Sequence, residues 1–354
     1  MITVNKNEFL NAIRAVKTSC GKANIMPILS TLHLKTLGQA LQLTATDTIF
    51  SARTIIAANV TEQREFCINA DKLENIVNAL DDIITIDCPE NVAIIKSGNT
   101  HFDVLILNTE DYPHPNFDLS DDKVVLSKDD FIKGVNKTTI STTIDNQLLS
   151  GVCFTFDKEN GYEMAATDGN RLSLVKFNDI EVDKEGQFVI PHTVLNNVIK
   201  CANSDIEIYF KDNRAIFKTD NYVYSSNILS GKYPMYAKLI PQEHSILAVI
   251  DKAELLKSLE KVAIMSDSRT NVTVFDFKDN NLHLTTSCES GKAEDTIPVN
   301  CNGELKIAFN FRFVLEGIKA MQSNEIQFGM NDEKSAVVVK GDFIYLIMPI
   351  MTKG

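Results

Sequence analysis

The sequence repeats a pattern about every 120 residues, and this repeat limits the possible fold more than any other feature. Short segments with apolar residues at helical spacing contain Phe9, Phe131 and Leu255, which lie 122 and 124 positions apart. In each segment the apolar residues would share one face of a helix, and the charged residues would lie on the other. A period of this length indicates repeated domains.

A second set of amphipathic segments lies about half a period further on and starts at Leu73, Leu195 and Leu315. Each follows a short extended run and precedes runs of alternating apolar and polar residues, which are typical of strands. We therefore predict an α+β protein of three repeated domains, each with two helices packed on antiparallel sheets. The predicted domains are residues 1–120, 121–242 and 243–354, with the first linker at residues 118–122. Chance similarity among amphipathic helices is the alternative, and three matches in two registers argue against it.

Helices and strands can be placed from these patterns. Helices are predicted in the windows 6–22, 70–80, 128–139, 191–202, 251–262 and 311–321. Alternating or β-rich runs predict strands at Ile28–Leu34, Leu41–Thr46, Phe50–Ala57, Ile83–Ile86, Val92–Lys96, His101–Leu107, Gly151–Phe156, Glu163–Thr167, Arg171–Phe177, Ile206–Phe210, Arg214–Lys218, Tyr222–Leu229, Val272–Phe277, Leu282–Thr286, Lys292–Pro298, Glu325–Met330, Ala336–Val339 and Phe343–Met348.

Composition points to a cytoplasmic protein. The chain has no run of eighteen apolar residues, and its first residues lack the charged and apolar blocks of a signal peptide. Its seven cysteines are odd in number and scattered singly, with no histidines at zinc-ligand spacing. We therefore interpret them as reduced thiols and predict no metal site.

The charge distribution bears on whether the partner is a nucleic acid. A net charge of -12 argues against tight phosphate binding. The six helical windows, however, hold 14 Lys and Arg against 9 Asp and Glu, and the rest of the chain holds 21 against 38. The helices are thus mildly basic on an acidic protein. The usual surface lysines of helices explain this count equally well.

Helix packing limits what one chain can enclose. Six helices side by side at about 10 Å would close a circle with a bore of only about 9 Å, too narrow for a duplex. Twelve helices would leave a bore near 28 Å by the same estimate. One chain therefore cannot surround a nucleic-acid duplex, whereas two can.

Asp168, in the run ATDGNRL, is the strongest candidate for direct chemistry. As a general base or metal ligand it would need a second carboxylate or a nucleophile–histidine pair nearby. The sequence offers neither, it has no Gly-rich phosphate loop, and its histidines lie far apart at His33, His101, His114, His192, His244 and His283. A hairpin turn at Asp-Gly-Asn is the favoured interpretation, and an enzyme that uses Asp168 is the alternative.

Several longer motifs resemble those of one family. They are ATDGNRL, GKYPMYAKLIP at residues 231–241, MPILSTLHL followed by TATD, FNFRFVLEGI at 309–318 and the ending YLIMPIMTKG. Together they resemble the bacterial sliding clamp, the beta subunit of DNA polymerase III, over the whole chain. The resemblance implies a head-to-tail homodimeric ring of six similar domains around double-stranded DNA. It also implies a processivity factor that tethers polymerases and repair proteins, is opened by a clamp loader, and has no enzymatic activity and no cofactor.

The resemblance also implies a pocket for linear peptide motifs between the middle and last domains. Leu, Pro and Met side chains suit an adaptable apolar groove for a motif that carries Leu or Phe, although Leu149 and Leu172 would suit ordinary core equally well. The chain departs from the commoner family pattern at Asn170, Lys238, Thr270 and the tail Met351–Gly354. The implied pocket residues are Leu149, Thr167, Gly169, Asn170, Arg171, Leu172, Pro234, Lys238, Leu239, Asn310, Phe313, Ile347, Met348, Pro349 and Ile350.

Two further sets of residues follow from the resemblance. At the ring joint, Phe102 and Val104 of one subunit would meet Ile264 and Met265 of the other beside paired strand edges. The residues expected at or beside the DNA-lined bore are Lys22, Lys72, Asn146, Gln147 and Lys200. Closure of the ring, rather than affinity, would keep such a protein on DNA, because weak sequence-blind phosphate contacts allow sliding. A monomeric repeat scaffold that binds proteins alone is the remaining alternative.

Overall fold

A computed structural model gives the fold, and it describes residues 1–22, 26–120, 122–178, 184–267 and 269–351. The chain forms two compact units. One consists of residues 1–131 and 193–228, and the other of residues 132–192 and 229–354. Each unit thus joins parts of two predicted domains. The predicted domain boundaries stay a prediction, and the described part of the predicted linker forms no helix or strand, while Asp121 lies outside the described residues.

Every predicted helical window contains a helix. Polar caps define several of the helix starts: Asn5 Oδ1 accepts the N–H groups of Asn7 and Glu8, and Asp251 Oδ1 accepts that of Glu254. The apolar stripe of each helix faces inward, as predicted. The helices of the described residues are α1 (Lys6–Lys17), α2 (Ala70–Ala79), α3 (Lys128–Thr138), α4 (His192–Cys201), α5 (Lys252–Val262) and α6 (Phe311–Ala320).

Strands make up most of the remaining structure. In chain order, the described strands are β1 (Ile2–Asn5), β2 (Thr31–Thr36), β3 (Ala40–Thr46), β4 (Phe50–Ala57), β5 (Asn59–Val60), β6 (Glu65–Asn69), β7 (Ile83–Asp87), β8 (Val92–Ser97), β9 (Thr100–Leu105), β10 (Lys123–Leu126), β11 (Gly151–Asp157), β12 (Gly161–Thr167), β13 (Arg171–Phe177), β14 (Gly186–Pro191), β15 (Ile206–Lys211), β16 (Arg214–Lys218), β17 (Tyr222–Asn227), β18 (Ile246–Asp251), β19 (Val272–Lys278), β20 (Asn281–Cys288), β21 (Gly291–Pro298), β22 (Asn300–Cys301), β23 (Leu305–Asn310), β24 (Glu325–Met330), β25 (Val337–Lys340) and β26 (Ile344–Ile347).

The first unit contains two antiparallel sheets. One has five strands in the order β5-β1-β7-β8-β9, and the other has eight in the order β10-β15-β16-β17-β4-β3-β2-β6. In the larger sheet β4 pairs with β17, so Ser51 lies opposite Ser225 and Ala52 opposite Tyr224. This pair joins segments that are far apart in sequence into one continuous sheet.

The second unit repeats this arrangement. Its larger sheet has the order β14-β11-β12-β13-β26-β25-β24-β18-β22, and its smaller sheet has the order β21-β20-β19-β23. Here β13 pairs with β26, so Leu172 lies opposite Leu346 and Ser173 opposite Tyr345. The strand pair at the centre of the larger sheet is therefore the counterpart of β4 with β17.

Four of the described helices pack in two pairs beside the sheets. In the first unit α1 packs on α2, where Arg14 Nε lies 2.9 Å from Glu74 Oε1 and Lys17 Nζ lies 2.7 Å from Glu74 Oε2. Hydrogen bonds that Lys17 donates to the carboxylates of Asp71 and Glu74 raise the pKa of Lys17. In the second unit α5 packs on α6, and Lys319 Nζ lies 2.8 Å from Glu260 Oε1. Each unit thus contains one such pair of helices beside antiparallel sheets, and α3 and α4 add further helical residues to the units.

Some strand predictions were wrong in detail. Residues Pro27–Ser30 form a short 3-10 helix instead of the start of the strand predicted at Ile28, because proline fixes φ and suits a helical first turn. Strands β1, β5, β10, β18 and β22 were not predicted. β5 and β22 have only two residues each, and β1, β10 and β18 have four to six and precede a helix or a helix cap, so the period-2 signal is weak in all five.

The cross-strand charge cluster around Glu207 gives a pH-dependent prediction. Glu207 accepts hydrogen bonds from Lys123, from Lys218 at 2.9 Å and from Tyr209 at 2.8 Å, and these hold its pKa at about 2. A depressed carboxylate pKa stabilises the fold above the unfolded value of about 4.3, and this stabilisation is lost as pH falls through about 2.

We expect Glu207→Gln to lower the free energy of unfolding by about 1 kcal/mol at pH 7, a small value because water still reaches this carboxylate. The difference from wild type should vanish near pH 2. Urea unfolding at several pH values measures it, and the exposed Glu110→Gln variant in the same unit is the control. A difference that is independent of pH would contradict this account.

Candidate functional site

All predicted peptide-pocket residues lie in the second unit. They come from the turn between β12 and β13, the segment that includes the short 3-10 helix Tyr236–Leu239, the start of α6, the chain after β26, and Leu149 before β11. The structure thus brings four separate stretches of the sequence, and one isolated leucine, into one compact unit.

The turn between β12 and β13 is built by its own side chains. Asp168 Oδ1 accepts the backbone N–H groups of Asn170 at 2.9 Å and of Arg171 at 3.0 Å. Thr167 Oγ1 accepts that of Gly169 at 3.1 Å, and Gly169 has φ +91°, a conformation that favours glycine. The favoured interpretation of ATDGNRL as a hairpin turn is confirmed.

The first unit contains the same turn one repeat earlier. Asp47 Oδ1 accepts the N–H groups of Ile49 at 2.9 Å and of Phe50 at 2.7 Å, and Thr46 Oγ1 accepts that of Thr48 at 2.9 Å. The Thr-Asp pair therefore stabilises the same turn in two of the repeats. The structure does not favour a catalytic role for Asp168, because its carboxylate already accepts hydrogen bonds from the turn and from Arg171.

Arg171 connects this turn to α6. Its Nε donates to Asp168 Oδ2 at 2.9 Å, its Nη1 donates to Glu316, and its guanidinium lies 4.3 Å from the centre of the Phe313 ring. The side chain is only 9% exposed. Because all these contacts use the planar guanidinium, lysine could not replace it.

The end of the chain crosses the site. Strand β26 pairs with β13, and the Met348 N–H then donates to the carbonyl of Asn170 at 2.8 Å. The Ile350 N–H donates to the carbonyl of Ala308 on β23 at 2.7 Å. Residues Met348–Ile350 therefore run from the turn to the end of β23. There Asn310 caps α6 by accepting the Arg312 N–H at 3.0 Å.

An apolar cluster lies under these segments. Leu172, Leu346, Tyr233 and Tyr236 are buried in it, and Leu149 packs against it half-buried. Tyr233 Oη accepts the Thr167 N–H at 3.2 Å, and the Tyr236 hydroxyl donates to Glu163 at 2.6 Å. Burial raises the pKa of both tyrosines, so their phenols stay neutral. The cluster thus provides a rigid, uncharged floor.

Apolar side chains at the rim are exposed to solvent. Met235 is 58% exposed, Leu239 55% and Met348 41%, and Pro234 and Pro349 are half-buried. Exposed apolar residues beside a rigid floor can bind the apolar side chains of a short peptide. Lys238 is exposed nearby in sequence, and its ammonium group makes no hydrogen bond within the described part of the chain.

The structure adds residues that sequence reasoning missed. Tyr233 and Met235 lie within the GKYPMY motif and could have been included, whereas no local signal marks Glu316 as the partner of Arg171. A cleft of about 320 Å³ in the same unit is lined by Lys176, Pro241 and His244, among others. None of the predicted pocket residues lines this cleft, although Leu174 and Val338 border both it and the apolar cluster.

The predicted joint residues lie in an edge strand of the first unit and in a 3-10 turn of the second unit. Phe102 and Val104 lie on β9 in the first unit, where Val104 is buried and Phe102 half-buried. Ile264 and Met265 lie in the 3-10 turn after α5 in the second unit, and Ile264 is 81% exposed. Their pairing across two subunits stays a prediction.

The predicted DNA-contacting residues Lys22, Lys72, Asn146, Gln147 and Lys200 are all exposed. Lys200 lies in a groove of about 450 Å³ in the first unit, between α1 and the end of α4. The groove residues are uncharged or basic, with no carboxylate among them: Asn11, Arg14, Ala15, Thr18, Asn197, Lys200, Cys201, Ala202, Asn203, Asn221 and Tyr222. Asn146 Oδ1 is engaged by the N–H groups of Leu148 and Leu149. Contact of these residues with DNA stays a prediction.

Comparison with known proteins covers the chain from end to end. Residues 1–117 match the N-terminal domain of the DNA polymerase III beta subunit, residues 125–235 its central domain and residues 237–351 its C-terminal domain. The chain belongs to the DNA polymerase III beta subunit family. The resemblance seen in the sequence motifs is therefore confirmed.

Relatives in the beta subunit family match this chain over nearly their full length. The beta sliding clamp of Synechococcus elongatus is 28% identical and covers 100% of both chains. The crystal structure of the Pseudomonas aeruginosa beta subunit superimposes with a TM-score of 0.93 at 21% identity, over 99% of this chain and 100% of that one. A sliding clamp from the same organism, bound to griselimycin, also gives 0.93 at 21% identity, over 99% of each chain.

Family membership confirms two predictions. The fold is the predicted α+β fold of repeated clamp domains, and the protein is a sliding clamp, the processivity factor of a replicative DNA polymerase. No described helix exceeds 12 residues, which is too short to cross a membrane. The described residues also contain no group of three His, Cys, Asp or Glu side chains that could hold a metal ion.

The contacts of Arg171 predict unequal effects of two substitutions. Arg171→Met leaves the Asp168 carboxylate, which is 10% exposed, without its cation, and we expect unfolding free energy to fall by about 3 kcal/mol. Glu316→Gln, at a side chain that is 49% exposed, should cost less than about 1 kcal/mol. Urea unfolding measures both. Equal small losses would show that Arg171 does not stabilise the turn.

Proposed function

We propose that two copies of this chain close head to tail into a ring that encircles double-stranded DNA and slides along it without sequence preference. The full-length match to all three beta-subunit domains carries this proposal. The ring joint would pair Phe102 and Val104 of one copy with Ile264 and Met265 of the other. The ring would act in the cytoplasm and would need a clamp loader to open it.

DNA would meet the helices through weak contacts. Lys22, Lys72 and Lys200 are exposed and form no ion pair within the described residues. Their ammonium groups are therefore available to phosphates, and the groove beside Lys200 has no carboxylate to repel DNA. Such contacts carry no sequence information, which suits a protein that must slide.

The apolar cluster and its exposed rim would bind linear motifs of polymerase subunits, the clamp loader and repair proteins. Leu172 forms part of the floor, and Met348 and Leu239 supply adaptable walls. The P. aeruginosa clamp bound to griselimycin supports ligand binding by a protein of this fold. We assign no catalytic role to any residue, because the Asp168 carboxylate is engaged by its own turn and by Arg171.

The chain end offers a test of the pocket. Removal of residues 348–354 deletes Met348, Pro349 and Ile350, two of which bond to the turn and to β23; residues 352–354 lie outside the described residues. We expect binding of a fluorescent polymerase-derived peptide to weaken at least about tenfold, a loss of about 1.4 kcal/mol. Native mass should stay that of a dimer.

Removal of residues 352–354 alone is the matched control and should leave peptide affinity close to wild type. Fluorescence anisotropy gives the affinity, and native mass spectrometry gives the mass. Unchanged peptide affinity after the longer deletion would argue against the pocket. A single-chain mass for the wild type would instead favour the monomeric scaffold.

Topology gives a second test. After loading by the clamp loader, closed circular DNA should retain the protein, and cutting the circle once should release it, because only closure holds the ring. Gel filtration of labelled protein with the DNA measures retention. Blocking both ends of the cut DNA with bulky groups should restore retention. Equal retention on open linear and circular DNA would indicate ordinary binding.

A further inference from the structure

The cleft of about 320 Å³ in the second unit lies on the same sheet face as the floor of the proposed peptide pocket. Side chains two positions apart on a strand share a face, and directly opposite residues on paired strands lie side by side. One row across this face consists of the floor residues Leu172, Leu346 and Val338. The next row consists of Leu174, Ile344 and Lys340, which all line the cleft.

The linker at residues 233–244 crosses this face between the peptide pocket and the cleft. At one end, Tyr233 Oη accepts the Thr167 N–H of β12 at 3.2 Å. At the other end, the His244 ring lies on Gly329 of β24, where an added Cβ atom would lie 2.5 Å from the ring. Ile240, between these two points, packs against the apolar cluster and also lines the cleft. The linker therefore forms one wall of the cleft.

The charged groups of the cleft favour an anionic ligand. Lys340 is exposed, and within the described residues its ammonium group forms no hydrogen bond or ion pair. Glu163 is the one carboxylate among the cleft residues, and it is already engaged. The Tyr236 hydroxyl donates to it at 2.6 Å, and Lys176 Nζ lies 3.6 Å from it. Lys340 therefore remains available to pair with the carboxylate of a ligand.

The walls of the cleft favour an apolar group beside that carboxylate. Leu174 and Val338 are buried there, and Ile240, Pro241 and Ile344 are half-buried. A volume of about 320 Å³ is at the lower end of the range for ligand clefts, which suits one or two side chains. A phosphate group would gain nothing from such apolar walls, whereas a peptide with neighbouring acidic and apolar residues can use both features.

We propose that this cleft binds an acidic segment that flanks the linear motif of a partner protein. An apolar side chain of that segment lies between Ile240 and Ile344, and a neighbouring carboxylate pairs with Lys340. This inference rests on the proposed peptide pocket and adds a second contact to it, on the other side of the linker.

The register of the sheet gives the spacing of the two contacts along the peptide. Leu346 of the floor and Lys340 of the cleft differ by one strand and two residues, which is about 8 Å between Cα atoms. The peptide must also pass over the linker, whose helical turn is about 10 Å thick. The path is then about 20 Å, or about six extended residues. The acidic segment should therefore lie about six residues from the Leu or Phe that occupies the pocket.

Paired peptides test this contact. Each carries a Leu-Phe motif and, six residues before or after it, either the segment Asp-Leu-Glu or the neutral segment Asn-Leu-Gln. For one of the two placements, we expect wild-type protein to bind the acidic peptide about fivefold more tightly than the neutral one, the size expected for a partly exposed charge pair. Fluorescence anisotropy measures the affinities.

Lys340→Glu should abolish this preference and leave the affinity for the neutral peptide close to wild type. Lys306→Glu is the matched control, because it makes the same change of charge at an exposed lysine on β23, in the smaller sheet of the same unit. This control should keep the preference. Loss of the preference in both variants would indicate long-range attraction rather than a pair at the cleft, and would overturn the proposal.

A third peptide tests the apolar walls. The segment Asp-Ser-Glu should bind more weakly than Asp-Leu-Glu, because serine leaves the walls of the cleft unfilled. Equal binding of these two peptides would place the acidic residues on the exposed linker, for example at Lys238, and would overturn the cleft. Equal binding of the acidic and neutral peptides in both placements would also overturn the cleft but leave the peptide pocket standing. Failure of every peptide to bind would contradict the pocket and the cleft together.

Discussion

Pairing of sheet edges is the constraint on which this structure depends. Strand edges must be covered, because unpaired backbone groups attract other chains. In each unit one long-range pair, β4 with β17 or β13 with β26, merges strands from two repeats into a single sheet. The buried rings of Tyr224 and Tyr345 lie at these joints opposite Ala52 and Ser173. The repeat therefore specifies the same joint in both units.

The proposed peptide pocket uses a turn that the repeat also forms at Asp47. The turns at Asp47 and Asp168 use the same hydrogen bonds, but the next strand starts with Phe50 in one case and with Arg171 in the other. Phe50 stacks on Tyr224, with ring centres 5.9 Å apart, whereas Arg171 reaches Glu316 and Phe313 of α6. Arginine, in place of the phenylalanine found after the equivalent turn, thus connects this turn to helix α6.

Local patterns predicted the helices and most strands, including the bounds of β4 and β13, because their period-3.6 and period-2 signals are strong. The strand start at Ile28 was wrong, since Pro27 begins a 3-10 helix there. The predicted pocket residues came from resemblance alone. Arg171 and Glu316 are 145 positions apart, and no local sequence pattern near either residue predicts their ion pair. Contacts of this kind arise from tertiary packing and are not encoded in any window of sequence.

The net negative charge of the protein is compatible with DNA binding, because some of its basic side chains are ion-paired and others are not. Arg14 and Lys17 on α1 are ion-paired with Glu74, which reduces their pull on phosphates. Lys22, Lys72 and Lys200 are exposed and unpaired within the described chain. A few free cations give weak, salt-sensitive attraction. In the proposed ring, weak attraction would suffice because closure of the ring retains the protein, and stronger attraction would slow its movement along the duplex.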